Sequence, residues 1–190
     1  MKKKDHKMLG EFLLRSSRNR ALLRNRLHQK LFILGCVSPD FIPFTYFRGF
    51  SKSRALLGHN AKYSAKHIQK SLNRFQANGL YHWWDVLRFG ALMHYMADSF
   101  TFPHAESYRG DMQAHRRYEL MLHPKFIDYL ENRKKCLEQK ADSLSTFFLQ
   151  KRAAYERGTP SFERDCRYIV EICQEVFERI CLDRFSSKKV

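Results

Sequence analysis

Three histidines and two of the acids stand out in one short stretch of this sequence: His94, Asp98, His104, His115 and Glu119, within HYMADSFTFPHAESYRGDMQAHRRYE from residue 94 to residue 119. His94 and Asp98 are four apart, and so are His115 and Glu119. On a helix that spacing stacks two side chains one turn apart on one face, where both reach a single metal ion. His104 follows Pro103, which cannot continue a helix interior, so the chain turns there and can aim the imidazole inward. Imidazole nitrogen and carboxylate oxygen are the usual ligands of catalytic zinc, and these five residues make a zinc-binding pattern.

The elements that must position them come next. Trp83, Trp84, Val86, Leu87, Phe89, Ala91, Leu92, Met93, Met96, Ala97 and Phe100 make the stretch 82–101 apolar on nearly every side, which predicts a buried helix. A histidine and an aspartate inside such a helix need partners, because an unpaired buried charge costs several kcal/mol. A His–Asp ion pair that only orients the core meets the same demand, so the first pair alone does not decide the matter. The second pair and His104 tip the balance to metal.

Upstream, residues 5–34 read as two helices or one bent one, with Leu9, Phe12, Leu13, Leu22, Leu23, Leu27 and Leu31 as an apolar stripe and His6 at the start. Gly35 is expected to end this stretch as a left-handed cap. An aromatic loop with two prolines follows, carrying Asp40 straight after Pro39; a turn or capping role is the plainer reading of that aspartate. Gly58-His59-Asn60 opens a helix expected over roughly 60–77, along which Lys62, Lys66, Lys70 and Arg74 form a cationic stripe, and Gly79 ends it. Pro124 suggests a fresh helix start, with helical character from Phe126 to Phe148. Thr159 as cap and Pro160 in the first turn predict a last helix over about 160–184. No stretch reads as a strand. The expected fold is all-α, a helical bundle in a single domain spanning 1–190.

With 190 residues and 44% apolar content the chain is long enough for one core. The apolar run Phe12–Leu14 is too short for a signal peptide, and no stretch approaches the ~20 apolar residues of a membrane span, so a cytoplasmic protein is expected, peripheral at the membrane if it meets one. Five cysteines without C-x-x-C spacing suit a reduced compartment and core packing; Cys166, Cys173 and Cys181 fall near helical period. A net charge of +16 favours an anionic partner, whether phosphate ester, nucleic acid or anionic membrane surface, although a solvated basic surface explains it too. No protein partner is inferred.

The segments LGCVSPDF (34–41), GHN (58–60), GALMHYMADSFTFPH (90–104) and HRRYE (115–119) together resemble the zinc-dependent phospholipase C family, whose fold is shared with zinc nucleases specific for single strands. The likeness covers roughly residues 6–120. It implies a cluster of two or three zinc ions in an all-helical cleft. Carried over by position, Asp40, His59, His94 and Asp98 hold one ion, and His104, His115 and Glu119 a second. Asp98 bridges toward a third, helped by His6. Secreted members complete that third site with the amine and carbonyl of an N-terminal Trp, whereas this chain begins MKKKD, so five residues before His6 are expected to keep the amine away and leave the third ion the weakest.

The implied reaction is hydrolysis of a phosphate ester by metal-activated water, with Asp40 and Asp98 as catalytic residues. Asp40 either ligates metal or takes the proton of the attacking water. Phe41, Phe44, Tyr46, Phe47 and Phe102 supply an apolar wall for a lipid tail or a stacking surface for a base, and are equally suited to a core. The substrate is a phospholipid head group or a nucleotide. Two alternatives stand: a zinc nuclease or nucleotide phosphohydrolase with the same metal site, and a non-catalytic basic helical protein that binds membrane or nucleic acid. His67, His82 and His123 read as surface or core residues.

Overall fold

A computed structural model describes residues 1–17, 25–40, 61–132 and 143–182, with the side chains of 61–64 and 182 left aside. Its described residues form seven α-helices: α1 (Lys3–Ser16), α2 (Arg26–Val37), α3 (Ala61–Asn78), α4 (Trp83–Ser99), α5 (Met112–Asn132), α6 (Leu144–Glu156) and α7 (Phe162–Leu182). Short 3-10 turns occupy Ser38–Asp40 and Phe102–His104. No strand occurs among the described residues, and the protein is all-α. None of these helices is long and apolar enough to cross a membrane.

Helix α4 is the axis of the bundle, with α2 laid along it and α3 and α7 against its other sides. Phe32 of α2, Phe89 of α4 and Phe177 of α7 meet with ring centroids 5.2–5.6 Å apart and are fully buried. At the far end of α4, Phe100 packs on Phe148, Tyr155 and Tyr168 at 5.5–5.8 Å and ties in α6 and α7. Cys166, Cys173 and Cys181 lie in this core as free thiols.

Four local expectations need correction. Gly35 does not cap α2; it sits inside the helix, two residues before its end. There it lets α2 and α4 touch backbone to backbone: a Cβ on Gly35 would lie 2.1 Å from the carbonyl oxygen of Leu87, and one on Gly90 would lie 2.2 Å from that of Phe32. A glycine demanded by close approach and one demanded by a left-handed cap look alike in sequence. Gly79, by contrast, is the left-handed residue after α3 (φ 65°), its N–H donating to Phe75 O at 2.8 Å.

Pro124 lies within α5, which runs unbroken from Met112 to Asn132. The carbonyl of Leu120, which the proline leaves without its helical donor, sits at an exposed position, where water serves. The last helix is capped by Ser161, whose Oγ accepts from Arg164 N–H at 3.1 Å, so Thr159 and Pro160 stand outside it. Trp83 and Trp84 are about half exposed while Asp85 and Val86 of the same turn are buried, so the start of α4 is covered on one side only.

The Gly35–Gly90 contact yields a signed prediction. Gly→Ala inside a helix normally stabilises by up to ~1 kcal/mol. Gly35→Ala and Gly90→Ala should instead each cost about 3 kcal/mol, since the new methyl must push two backbones apart. Urea unfolding measures this, and a gain in stability from either change would show that the two helices do not touch there.

Candidate metal centre

Three helices and two turns aim polar side chains at one buried spot. From α4 come His94 and Asp98, one turn apart and 1% and 3% exposed. Helix α1 adds His6, whose ring stacks on that of His94 at 3.7 Å and 22°. The turn Ser38–Asp40 brings Asp40, the turn Phe102–His104 brings His104, and α5 brings His115 and Glu119. His6, His94 and Asp98 form the tight group, with one donor atom from each lying within 4.8 Å of the others.

The distances around that group are short. His6 Nε2 lies 3.2 Å from Asp98 Oδ1, and His94 Nε2 is 3.3 Å from Asp98 Oδ2 and 3.7 Å from Asp40 Oδ1. His104 Nε2 stands 3.9 Å from Asp98 Oδ2, and its ring centroid is 4.9 Å from that of His115. His115 Nε2 is 3.0 Å from Glu119 Oε1. Asp98 therefore lies among His6, His94 and His104, while His115 and Glu119 flank His104. His59 lies outside the described residues, as do Phe41, Phe44, Tyr46 and Phe47. Phe102 is described; it packs on Tyr108 and Tyr118.

Second partners fix the rings. His94 Nδ1–H donates to the carbonyl of Cys36 at 2.9 Å, which turns Nε2 toward Asp40 and Asp98. Thr101 Oγ1 gives its proton to the carbonyl of Asp98 at 2.9 Å, so it accepts from His104 Nδ1–H at 2.6 Å. His104 Nε2 then also faces the Asp98 carboxylate. The Cys36 carbonyl reaches His94 because the Gly35–Gly90 contact draws α2 onto α4.

The α-amine of Met1 also reaches the centre, against the expectation that the residues before His6 hold it away. It is buried and lies 2.8 Å from Asp98 Oδ1 and 2.9 Å from Glu119 Oε1. Burial disfavours its charged form, but the two carboxylates more than offset this and raise its pKa to about 11. For Asp98 burial works upward, yet the Met1 amine, His104, His6 and His94 hold its carboxyl well below the usual range. Glu119 likewise falls to about 2, with the His115 hydrogen bond and the amine overcoming its burial. Burial and the neighbouring His94 lower His6 to about 3, so its imidazole is neutral.

A family model described as zinc dependent phospholipase C matches residues 5–171. The chain belongs to the zinc dependent phospholipase C family. The match reaches well past residue 120, where the recognisable motifs stop, and takes in α6 and the first half of α7. No curated protein and no solved structure matches the chain.

The family's metal suits the residues present. Neither nitrogen of the buried His6 ring makes a hydrogen bond, and neither does His115 Nδ1. Buried imidazole nitrogens are costly without partners. Neutral imidazoles beside ionised carboxylates are the donor set that zinc takes.

Two supports of the centre carry no motif. Asp5 is wholly buried and pairs with His123 Nδ1, and its other oxygen accepts from Lys2 N–H at 3.3 Å. This pair ties the start of α1, and hence His6, to α5. Asp165 of α7 accepts three hydrogen bonds: Phe102 N–H and Tyr118 O–H at 2.9 Å, and Tyr155 O–H at 2.7 Å. It thereby anchors the turn that carries His104 and the residue beside Glu119. The only sign of Asp165 in the sequence is an acid on the apolar side of a helix.

Asp165→Ala would leave two hydroxyls and an amide without an acceptor. It should cost about 3 kcal/mol and weaken metal retention by about tenfold. Burial raises the Asp165 carboxyl to about 6 despite its three donors. In the unfolded chain it titrates near ~3.9. Folding therefore favours its protonated form, and that contribution is full below about pH 4 and lost as pH rises through about 6. Urea unfolding between pH 4 and 7 should show the parent losing ground to Asp165→Asn, which does not titrate there; a constant difference would contradict the raised pKa.

Proposed function

We propose that this protein is a zinc-dependent phosphodiester hydrolase of phospholipase C type, in which activated water attacks a phosphate ester. The observation that carries this reading is the buried His6–His94–Asp98 group with its unbonded imidazole nitrogens, in a chain of the zinc dependent phospholipase C family. His6, His94 and Asp98, with Asp40 and His59, would hold one part of the metal cluster; His104, His115 and Glu119 would hold the other. Zinc bound there supplies a Lewis acid that lowers the pKa of water and neutralises charge on phosphoryl oxygens.

The chain's own groups divide the remaining work. The Asp98 side chain is 5% exposed and stays ionised, so it fixes charge at the centre. Asp40 is the more open carboxylate, its side chain 21% exposed, and would take the proton of the attacking water. Cys36 O and Thr101 Oγ1 hold His94 and His104 in one orientation, which keeps the centre from rearranging as charge develops.

The substrate we infer is a phospholipid. A second reading, a nuclease or nucleotide phosphohydrolase using the same residues, draws on the net charge of +16, which suits a nucleic acid backbone equally. Metal analysis of the purified chain should find at least two zinc ions; a folded protein that stays metal-free when supplied with zinc would refute the reading. Asp98→Asn should lose at least one ion and slow hydrolysis of a generic phosphodiester by about a hundredfold or more, whereas wild-type rates would remove Asp98 from the mechanism. Short-chain phospholipid and single-stranded DNA assayed side by side settle the substrate, cleavage of DNA alone favouring the nuclease.

A further inference from the structure

The chain has two tryptophans, Trp83 and Trp84, and neither is in the core. Their indoles stack at 3.7 Å and 25° and are 46% and 52% exposed, and Tyr81 beside them is 64% exposed. Large aromatics left in water this way, and next to one another, mark a contact surface. The ground around them is cationic. Lys66, Lys70 and Arg74 are exposed along α3 at helical spacing. The row ends where Arg74 pairs at 2.6 Å with Asp85 of α4, the residue after Trp84. Arg74, His82, Trp84, Asp85 and Arg88 line a shallow groove of ≈ 280 Å³. Arg74 neutralises Asp85, and Arg88 makes no ion pair among the described residues, so the groove keeps a net positive charge.

We propose that this corner, the start of α4 with the basic row of α3, docks the protein on an anionic phospholipid bilayer. Tryptophan and tyrosine prefer the membrane interface, where the ring sits among acyl carbons and the polar edge stays wet. Basic side chains beside them gain from the negative surface potential. The groove has room for a head-group phosphate against Arg88. A base stacked between the indoles is disfavoured, because they already stack on each other. His94 lies ten residues beyond Trp84, ~15 Å along the helix, so docking and chemistry use different surfaces, and the docking inference does not require the hydrolase reading to hold.

Because both tryptophans lie in the patch, emission reports on it without a label. The metal-loaded protein is mixed with sucrose-loaded vesicles of equal parts phosphatidylserine and phosphatidylcholine. Its emission should shift to the blue, brominated acyl chains should quench it, and the protein should pellet. Pelleting should fall about fivefold in Arg88→Gln and at least tenfold in Trp83→Ala/Trp84→Ala. Circular dichroism and hydrolysis of a soluble short-chain phosphodiester should be unchanged in both variants. The proposal is overturned if the protein does not pellet, if it pellets with unaltered emission, or if the double variant pellets as well as the parent. Emission that responds to single-stranded oligonucleotide and not to vesicles would assign the patch to nucleic acid instead. Binding by a protein that hydrolyses no phosphodiester would end the hydrolase reading and leave this one standing.

Discussion

A carboxylate that stays ionised inside an apolar helix is the constraint on which the rest of the molecule turns. Asp98 sits among Met93, Met96, Ala97 and Phe100, all fully buried or nearly so. Such a charge is tolerated only when positive or polar groups close around it. Here they arrive from α1, from α4 itself and from the turn after it, and each group must be brought in by an element with its own reason to be there. Helix α1 is held by Asp5 on His123, and the His104 turn by Asp165. His94 is aligned by a carbonyl of α2 that reaches it only because two glycines let the helices touch.

The candidate metal ligands were the readable part, because helical spacing and residue type are both local. His94 with Asp98, and His115 with Glu119, needed nothing beyond the 3.6-residue period to be placed on common faces. The supports were not readable, since they join residues far apart in the chain: Asp165 to Phe102 and Tyr118, Asp5 to His123. Three of the misplaced expectations share one cause. Gly35, Pro124 and Thr159 each have a local role by type, and in each case the packing decided otherwise. Gly35 served a helix contact, Pro124 fell where water replaces the lost donor, and Ser161 lay two residues closer than Thr159 to where α7 begins its packed face.

The Met1 amine and the metal answer the same electrostatic demand. Asp98 and Glu119 converge on the amine, which carries the positive charge that their burial requires. A metal ion placed among these carboxylates would relieve the same unfavourable term with a larger charge, and would use the imidazole nitrogens of His6 and His115 that the amine leaves unbonded. Those nitrogens are the difference between the two solutions: an ion pair accounts for the acids, and a metal would account for the rings as well.

The way the chain spends its acids also shapes its surface. Asp5, Asp98 and Asp165 are buried as anchors, and Asp85, buried too, is neutralised by Arg74. Among the described residues no lysine is buried, and Arg152 is the buried arginine. Acids that hold the fold together from inside contribute little to the field outside, because partners beside them cancel it. Burying these acids leaves the net charge of +16 unchanged, and the described lysines that contribute to it are all at least partly exposed. Carboxylates drawn into the centre are thus kept off the surface, and the exposed basic side chains are what an approaching anion would meet first.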